Sequence, residues 1–323
     1  MSCFVERPLE REKQHVVRVN AGVIKRVTVG LPVTYNRCRA CEVVLTTPQT
    51  PTLNELRDNK NNDLILWKGD VIGSATSMEG PKCSMDPNRL TRYEVVDKLG
   101  EGMFGQVYVC RDMQTDERVA VKVLRNHVAY YRQGLVEISA LMILNDGDPG
   151  SQNSHVLRIY DHFLYNNHIC IVTELLSFDL HYLIAENNNK GISIRTIRKF
   201  LFQILEALDV LSQAHIVHCD VKPDNVLMQV ASSDVKLIDF GSACFENFTM
   251  NDYIQSRHYR APEVVVGIPY SCAIDMWSVG CTAAELFLGI PLFAGSSDYN
   301  LLFKMIDTLG PIPADVLSDR KSV

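Results

Sequence analysis

Between His218 and Gly241 the chain reads His-Cys-Asp-Val-Lys-Pro-Asp-Asn, then a gap, then Lys-Leu-Ile-Asp-Phe-Gly. Asp220, Lys222, Asn225 and Asp239 fall within twenty residues, flanked by Ile216-Val217 on one side and by Val235 to Ile238, broken by Lys236, on the other. Apolar runs this short form strands or strand-like turns that hold polar side chains at their ends. Asp220 can accept a proton from a hydroxyl, and Lys222 can neutralise a phosphate. Asn225 and Asp239 offer hard oxygen ligands of the kind Mg²⁺ takes. Two carboxylates, an amide and an ammonium make a poor core, but they suit phosphoryl transfer. The plainer alternative is a loop carrying ordinary surface charge.

At 323 residues, 46% of them hydrophobic, the chain has material for about two domains and a sizeable core. The net charge of −6 gives no reason to expect nucleic acid as a partner. Up to residue 90 there are thirteen basic against ten acidic side chains, and beyond it nineteen against twenty-eight. The later, acidic part favours basic polypeptide substrates. Ten cysteines are scattered without the spacing of a disulfide framework, and several lie in apolar runs, where a thiol acts as a small hydrophobe. Cys38 and Cys41 form one CxxC pair with no second pair at ligand spacing, so ordinary thiols are expected there. The first twenty residues alternate acidic and basic groups, unlike a signal peptide, and no apolar run is long enough to span a membrane. The expectation is an intracellular protein, cytoplasmic and/or nuclear, monomeric, with no membrane partner.

Residues 1 to about 62 carry little pattern beyond a strand-like Val23–Val29 and an extended Thr46-Thr-Pro-Gln-Thr-Pro. Asp63 to Gly73 is a compact apolar patch expected to pack on the domain after it, and 73–88 is a Gly/Ser/Pro/Met-rich link. From Tyr93 the pattern is strand, turn, strand. Gly100, Gly102 and Gly105 fit G-x-G-x-x-G but lie between two strands, whereas a dinucleotide fold needs a helix after the glycines. A glycine hairpin lets backbone amides close over phosphates. Lys122 ends the alternating Val-Ala-Val-Lys strand, and Glu137 lies among the apolar positions of a helix expected over 133–144. An interior-leaning Glu with a lysine available is best explained as its partner. Strands are expected at 159–165 and 168–173, and helices at 180–186, 194–215 and 274–288.

In order, the Gly100–Val107 loop, Val-Ala-Val-Lys122, Glu137, His218-Cys-Asp220…Asn225, Asp239-Phe-Gly241 and Ala261-Pro-Glu263 resemble the signature set of eukaryotic protein kinases. The resemblance covers residues 93 to about 310. In detail it is closest to the DYRK family of the CMGC group, and within that to the Yak branch. His-Cys-Asp replaces His-Arg-Asp, the metal motif continues Asp-Phe-Gly-Ser-Ala-Cys, and the later segment reads Tyr253-Ile-Gln-Ser-Arg-His-Tyr-Arg-Ala-Pro-Glu.

The resemblance implies an α+β, two-lobed fold with a β-rich N-lobe over 93–175 and a mainly helical C-lobe over 176–323. Residues 1–92 would be an extension with a partly disordered linker. It also implies ATP and Mg as cofactors and Ser/Thr of proteins as acceptors, with basic residues near the target. Asp220 would orient the acceptor hydroxyl and take its proton, and Lys222 would touch the transferring phosphate. Lys122, placed by Glu137, would hold the α/β-phosphates under Gly100, Gly102 and Gly105, with Mg²⁺ on Asn225 and Asp239. Leu99, Val107, Ala120 and Leu227 would line the adenine pocket, Thr173 would be the gatekeeper, and Leu176 would offer backbone hydrogen bonds. Cys219 removes the arginine that grips an activation-loop phosphate in most kinases. Arg257 and Arg260 are the available cations, and Tyr253 the expected autophosphorylation site.

Kinase domains continue past Leu309-Gly-Pro-Ile-Pro for several more helices, so an incomplete C-lobe is expected, with Glu263 lacking its usual arginine partner. The alternative to an active enzyme is then a folded but inactive nucleotide- or partner-binding module.

Overall fold

The computed structural model describes residues 43–73, 92–146, 155–230, 232–246 and 253–313. The Cys38–Cys41 pair, the strand-like stretch at 23–29, the link after Gly73 and the tail from 314 lie outside them.

The alternating segments after residue 70 pair into one antiparallel sheet. Its strands are β1 (Val71–Gly73), β2 (Arg92–Glu101), β3 (Gly105–Asp112), β4 (Arg118–Leu124), β5 (Ile159–Tyr165) and β6 (His168–Glu174), in the order β1-β2-β3-β4-β6-β5. Two-residue hairpins twist correctly when both central residues have positive φ, a conformation Asn tolerates. Asn166 and Asn167, at φ 48° and 71°, make that turn between β5 and β6. Strand period sets the two faces. On β4, Val119, Val121 and Val123 enter a core with Leu64, Leu66, Ile72, Tyr93 and Tyr108. The alternate positions, Ala120 and Lys122, therefore face the opposite side, where Val107 pairs with Lys122 and Thr173 with Ala120.

Helix α1 (Val128–Asp146) crosses that second face. It starts five residues earlier than its sequence pattern suggests. No Ser, Thr, Asp or Asn stands directly before it to mark the start; His127 Nδ1 accepts from Ala129 N at 3.3 Å instead. Gly134 lets α1 approach β4, since a Cβ there would collide with Leu124 Cδ1.

The second half is helical, with α2 (Leu180–Glu186), α3 (Ile194–Gln213), α4 (Pro262–Val266), α5 (Ala273–Leu288) and α6 (Asp298–Leu309). Asp179, Ser193 and Ser297 cap α2, α3 and α6, each accepting from a backbone N–H of the first turn. Helix α6 is not expected from the sequence reading, although Ser297-Asp-Tyr-Asn is a usable start signal. The buried stripe of α3 (Ile197, Phe200, Ile204, Leu208, Leu211) joins the large core that also takes Phe240 and Leu141. Among the described residues no helix is long and apolar enough to cross a membrane.

Five short strands frame the His218–Gly241 stretch. They are β7 (Leu176–Asp179), β8 (Ile216–Val217), β9 (Val226–Gln229), β10 (Val235–Leu237) and β11 (Cys244–Phe245). β9 lies between β7 and β10, and β8, just before the stretch, pairs with β11 just beyond it. The polar residues fall at the strand ends. In this α+β arrangement of a sheet-rich and a helical lobe, the glycine hairpin lies over that stretch, close enough that a Cβ on Gly241 would be 3.4 Å from the Phe104 ring.

Candidate active site

Lys122 Nζ donates to Glu137 Oε1 at 2.7 Å and Oε2 at 3.0 Å, and to Asp239 Oδ1 at 2.8 Å. Helix α1 carries the glutamate inward to 3% exposure. Burial opposes the charge on Lys122, but the Asp239 and Glu137 carboxylates outweigh it and hold the ammonium above the ordinary lysine range. Burial pushes the Glu137 carboxyl up against the pull of Lys122. For Asp239 burial acts in the same sense, but Lys122 overrides it and holds the carboxyl below its usual range.

Asp239 sits in the left-handed region at φ 60°, a conformation that costs a non-glycine residue energy. Phe240 offsets it: the ring is fully buried and meets His218 edge-on at 4.9 Å. His218 Nε2 in turn lies 2.9 Å from the Ile238 carbonyl.

Asp220 is held by its own loop and by Ser256. Its Oδ2 accepts from Lys222 Nζ at 2.8 Å and Asn225 Nδ2 at 3.0 Å; its Oδ1 accepts from Ser256 Oγ at 2.7 Å and Ser256 N at 3.1 Å. Lys222 Nζ also donates to Ser256 Oγ at 3.0 Å. Asp275, 2% exposed on α5, accepts from His218 N at 2.7 Å and Cys219 N at 3.0 Å. Burial pushes its carboxyl up. Cys219 is itself left-handed, at φ 65°, with Sγ 3.5 Å from Cys244 Sγ.

Above this floor, Gly100 and Gly102 face open space, since a Cβ on either would meet nothing within 4 Å. Gly105 is different: a Cβ there would run into the Val123 carbonyl. Val107, Ala120 and Thr173 share the cleft face by register, with Leu99 at the half-exposed rim and Leu176 and Leu227 on the strands below. The residues fit a magnesium nucleotide. Asn225 Nδ2 is spent on Asp220, which leaves its carbonyl oxygen, and Asp239 keeps Oδ2 beside the Lys122-bound Oδ1. Mg²⁺ needs only one or two such protein oxygens when phosphates and waters complete its shell.

Tyr253 stands apart from this cluster, 68% exposed, its ring 4.1 Å from the Arg260 guanidinium carbon. Arg260 and Arg257 hold its hydroxyl below the ordinary phenol range. Arg260 is a less available cation than its sequence position suggests. It already donates to the Ile254 and Gln255 carbonyls at 2.9 Å each and to Asp298 Oδ1 at 2.7 Å. Arg257 donates to the Ser296 carbonyl at 3.1 Å. Glu263 has no ion-pair partner among the described residues.

Sequence reasoning missed Ser256, Asp275 and Lys236. Ser256 lies in the Tyr253–Glu263 stretch, read only for its tyrosine and arginines. Lys236, which interrupts an apolar run, is 6% exposed and donates to Glu174 Oε1 at 2.6 Å, tying the strand before Asp239 to the end of β6. A lysine inside a buried strand was the available signal.

The protein kinase domain family matches residues 93–320. The chain belongs to the protein kinases. Over 280 residues this kinase is 48% identical to the probable serine/threonine-protein kinase yakA of Dictyostelium discoideum, covering 86% of the chain and 18% of that protein. It is 45% identical over 282 residues to the dual specificity protein kinase YAK1 of Saccharomyces cerevisiae, covering 87% and 33%. With the human dual specificity tyrosine-phosphorylation-regulated kinase 4 it shares 44% over 224 residues, covering 69% and 43%. The kinase thus lies in the DYRK/Yak branch, and the chain spans less than half the length of each of these relatives.

Proposed function

We propose that this chain is an ATP- and Mg-dependent protein kinase that transfers the γ-phosphate to Ser or Thr of proteins and phosphorylates its own Tyr253. The observation that carries the reading is the convergence of Glu137 and Asp239 on Lys122 Nζ, at 3.0 Å or less, beside an Asp220 fixed by Lys222, Asn225 and Ser256. ATP with Mg²⁺ supplies the phosphoryl group; this chain's residues position it and the acceptor. Lys122 orients the non-transferring phosphates. Asp220 accepts the hydroxyl proton as the acceptor oxygen bonds to the γ-phosphorus, and ADP departs. Lys222 offsets charge on the transferring group. In a loose transition state positioning and charge stabilisation supply most of the acceleration. The exposed Asp224 in the same loop favours basic residues before the target.

The test is phosphate incorporation by the purified chain into a basic Ser-containing peptide. Incorporation should require Mg-ATP, vanish with EDTA and be lost in Asp239→Asn. Mass spectrometry of the active wild type should find phosphate on Tyr253. Transfer that persists in EDTA or in Asp239→Asn refutes the mechanism; active protein with unmodified Tyr253 refutes the autophosphorylation.

A further inference from the structure

The glycine hairpin needs support from elsewhere in the fold. Gly100 and Gly102 have no side chains and touch nothing at the Cβ position, so these two residues do not fix the height of the hairpin by packing. Its internal support is the β2–β3 pairing of Gly100 with Val107 and Glu101 with Gln106, closed by the Gly102 N–H to Gly105 carbonyl bond at 2.9 Å. The tip residues, Met103 and Phe104, are held from outside by Arg125, the first residue after β4. Arg125 N donates to the Phe104 carbonyl at 2.9 Å, and its Nη1 donates to the Met103 carbonyl at 2.9 Å. The remaining side of the guanidinium is fixed by Nε donating to Asp63 Oδ1 at 2.8 Å.

Asp63 lies far back in sequence, in the stretch before the sheet, and is 3% exposed. It is immobilised in turn: Asn59 Nδ2 donates to its Oδ2 at 3.3 Å, and its own N–H donates to Asn59 Oδ1 at 3.0 Å. The same stretch grips the neighbours of Arg125. Asn126 N donates to the Asn62 carbonyl at 3.0 Å, and Asn126 Nδ2 to Asp58 Oδ2 at 3.2 Å. His168 nitrogens lie 2.9 Å from Asp58 Oδ1 and 2.7 Å from the Leu124 carbonyl. Three consecutive residues, 124 to 126, are therefore anchored to residues 58–63. From the tip the contact continues inward: the Phe104 ring packs edge-on against Tyr130 at 6.0 Å and lies 5.8 Å from Lys122 Nζ.

We propose that Arg125 is a positioning residue for the nucleotide phosphates, and that Asp63 makes residues 58–63 part of the nucleotide site by aiming it. This rests on the reading of the cleft as a Mg-ATP site. Arg125 acts through the hairpin backbone without touching the nucleotide, so its loss falls on the phosphate end of the ligand and spares the adenine end.

The test compares two probes by calorimetry on the full chain, MgAMP-PNP, which engages the hairpin through its phosphates, and adenosine, which does not. In Arg125→Ala and Asp63→Asn, MgAMP-PNP should bind about tenfold more weakly, as expected when the one charge-assisted hydrogen bond from Arg125 to the hairpin is lost or misdirected, while adenosine stays within about twofold. Arg125→Lys should resemble Arg125→Ala, since one ammonium lacks the fork that spans both acceptors. The retained adenosine affinity certifies the fold of each variant. Unchanged MgAMP-PNP affinity overturns the proposal. So does parallel weakening of both probes, which would make the pair a general brace of the sheet. A wild-type chain that binds neither probe would instead overturn the reading of the cleft as a Mg-ATP site.

Discussion

Asp220 has four donors on its two oxygens, three of them from the side chains of Lys222, Asn225 and Ser256. That saturation fixes the carboxylate plane, which the proposed role of general base needs. Replacing Asp220 by Asn keeps the shape but not the basicity, and it presents an NH₂ group to donors on at least one side. The expected result is a fall in phosphotransfer of about 10²–10⁴-fold, the usual share of general acid–base catalysis. The variant should still melt cooperatively, so that the lost rate is read on a folded chain. A rate within threefold of wild type would remove Asp220 from the base role. The motif made Asp220 legible in sequence, since His-x-Asp…Asn has a fixed spacing. Ser256 lies within the Tyr253–Glu263 stretch, but nothing local marks its contact, which reaches back across 36 residues to Asp220.

At the scale of elements, the catalytic loop depends on helix α5. Cys219 takes a left-handed conformation at φ 65°, which only surrounding contacts can hold. Asp275 supplies them by accepting both adjacent N–H groups, His218 and Cys219, from one carboxylate. An amide at this position can accept through a single oxygen and turns an NH₂ toward the other N–H. Asp275→Asn should therefore lose about 1–3 kcal/mol of stability, the cost of one buried unsatisfied donor, and reduce phosphotransfer because the Asp220 loop loosens. Urea unfolding alongside an activity assay checks both, and a variant as stable and active as wild type would refute the coupling. The strands and the long helices were readable because their apolar periods are strong, as in Val119 to Val123 and Ile197 to Leu211. The first turn of α1 and all of α6 were not. In α1 a histidine does the capping, and before α6 the cap Ser297 is hidden in a Gly-Ser-Ser run that reads as loop. The sequence reading assigns Asp275 no role. Its meaning lies in a contact 57 residues away.

At the scale of the molecule, the sheet-rich lobe is not self-sufficient from residue 92 onward. Leu64, Leu66 and Ile72 are each no more than 4% exposed and complete the core formed by Tyr93, Val95, Tyr108 and Val121. Strand β1 covers the edge of β2, pairing Val71 with Glu94 and Gly73 with Arg92. Thr46 donates to the Leu64 carbonyl at 2.9 Å and lies 2.8 Å from the Tyr108 hydroxyl, so a fully buried threonine ties the outer stretch to the sheet. At about 1.5–3 kcal/mol for each large apolar side chain buried, three of them alone approach the lower end of a domain's total stability, about 5 kcal/mol. Their removal also bares an unpaired β2 edge and a hydrophobic face. A chain beginning at residue 74 should therefore lose its cooperative melt, bind a hydrophobic dye and aggregate, while one beginning at residue 43 should keep it. Thermal melting of the two deletions, monitored in parallel by dye fluorescence, distinguishes the outcomes. If the shorter chain melts cooperatively within about two degrees of the longer one, residues 43–73 are an ornament on a complete lobe.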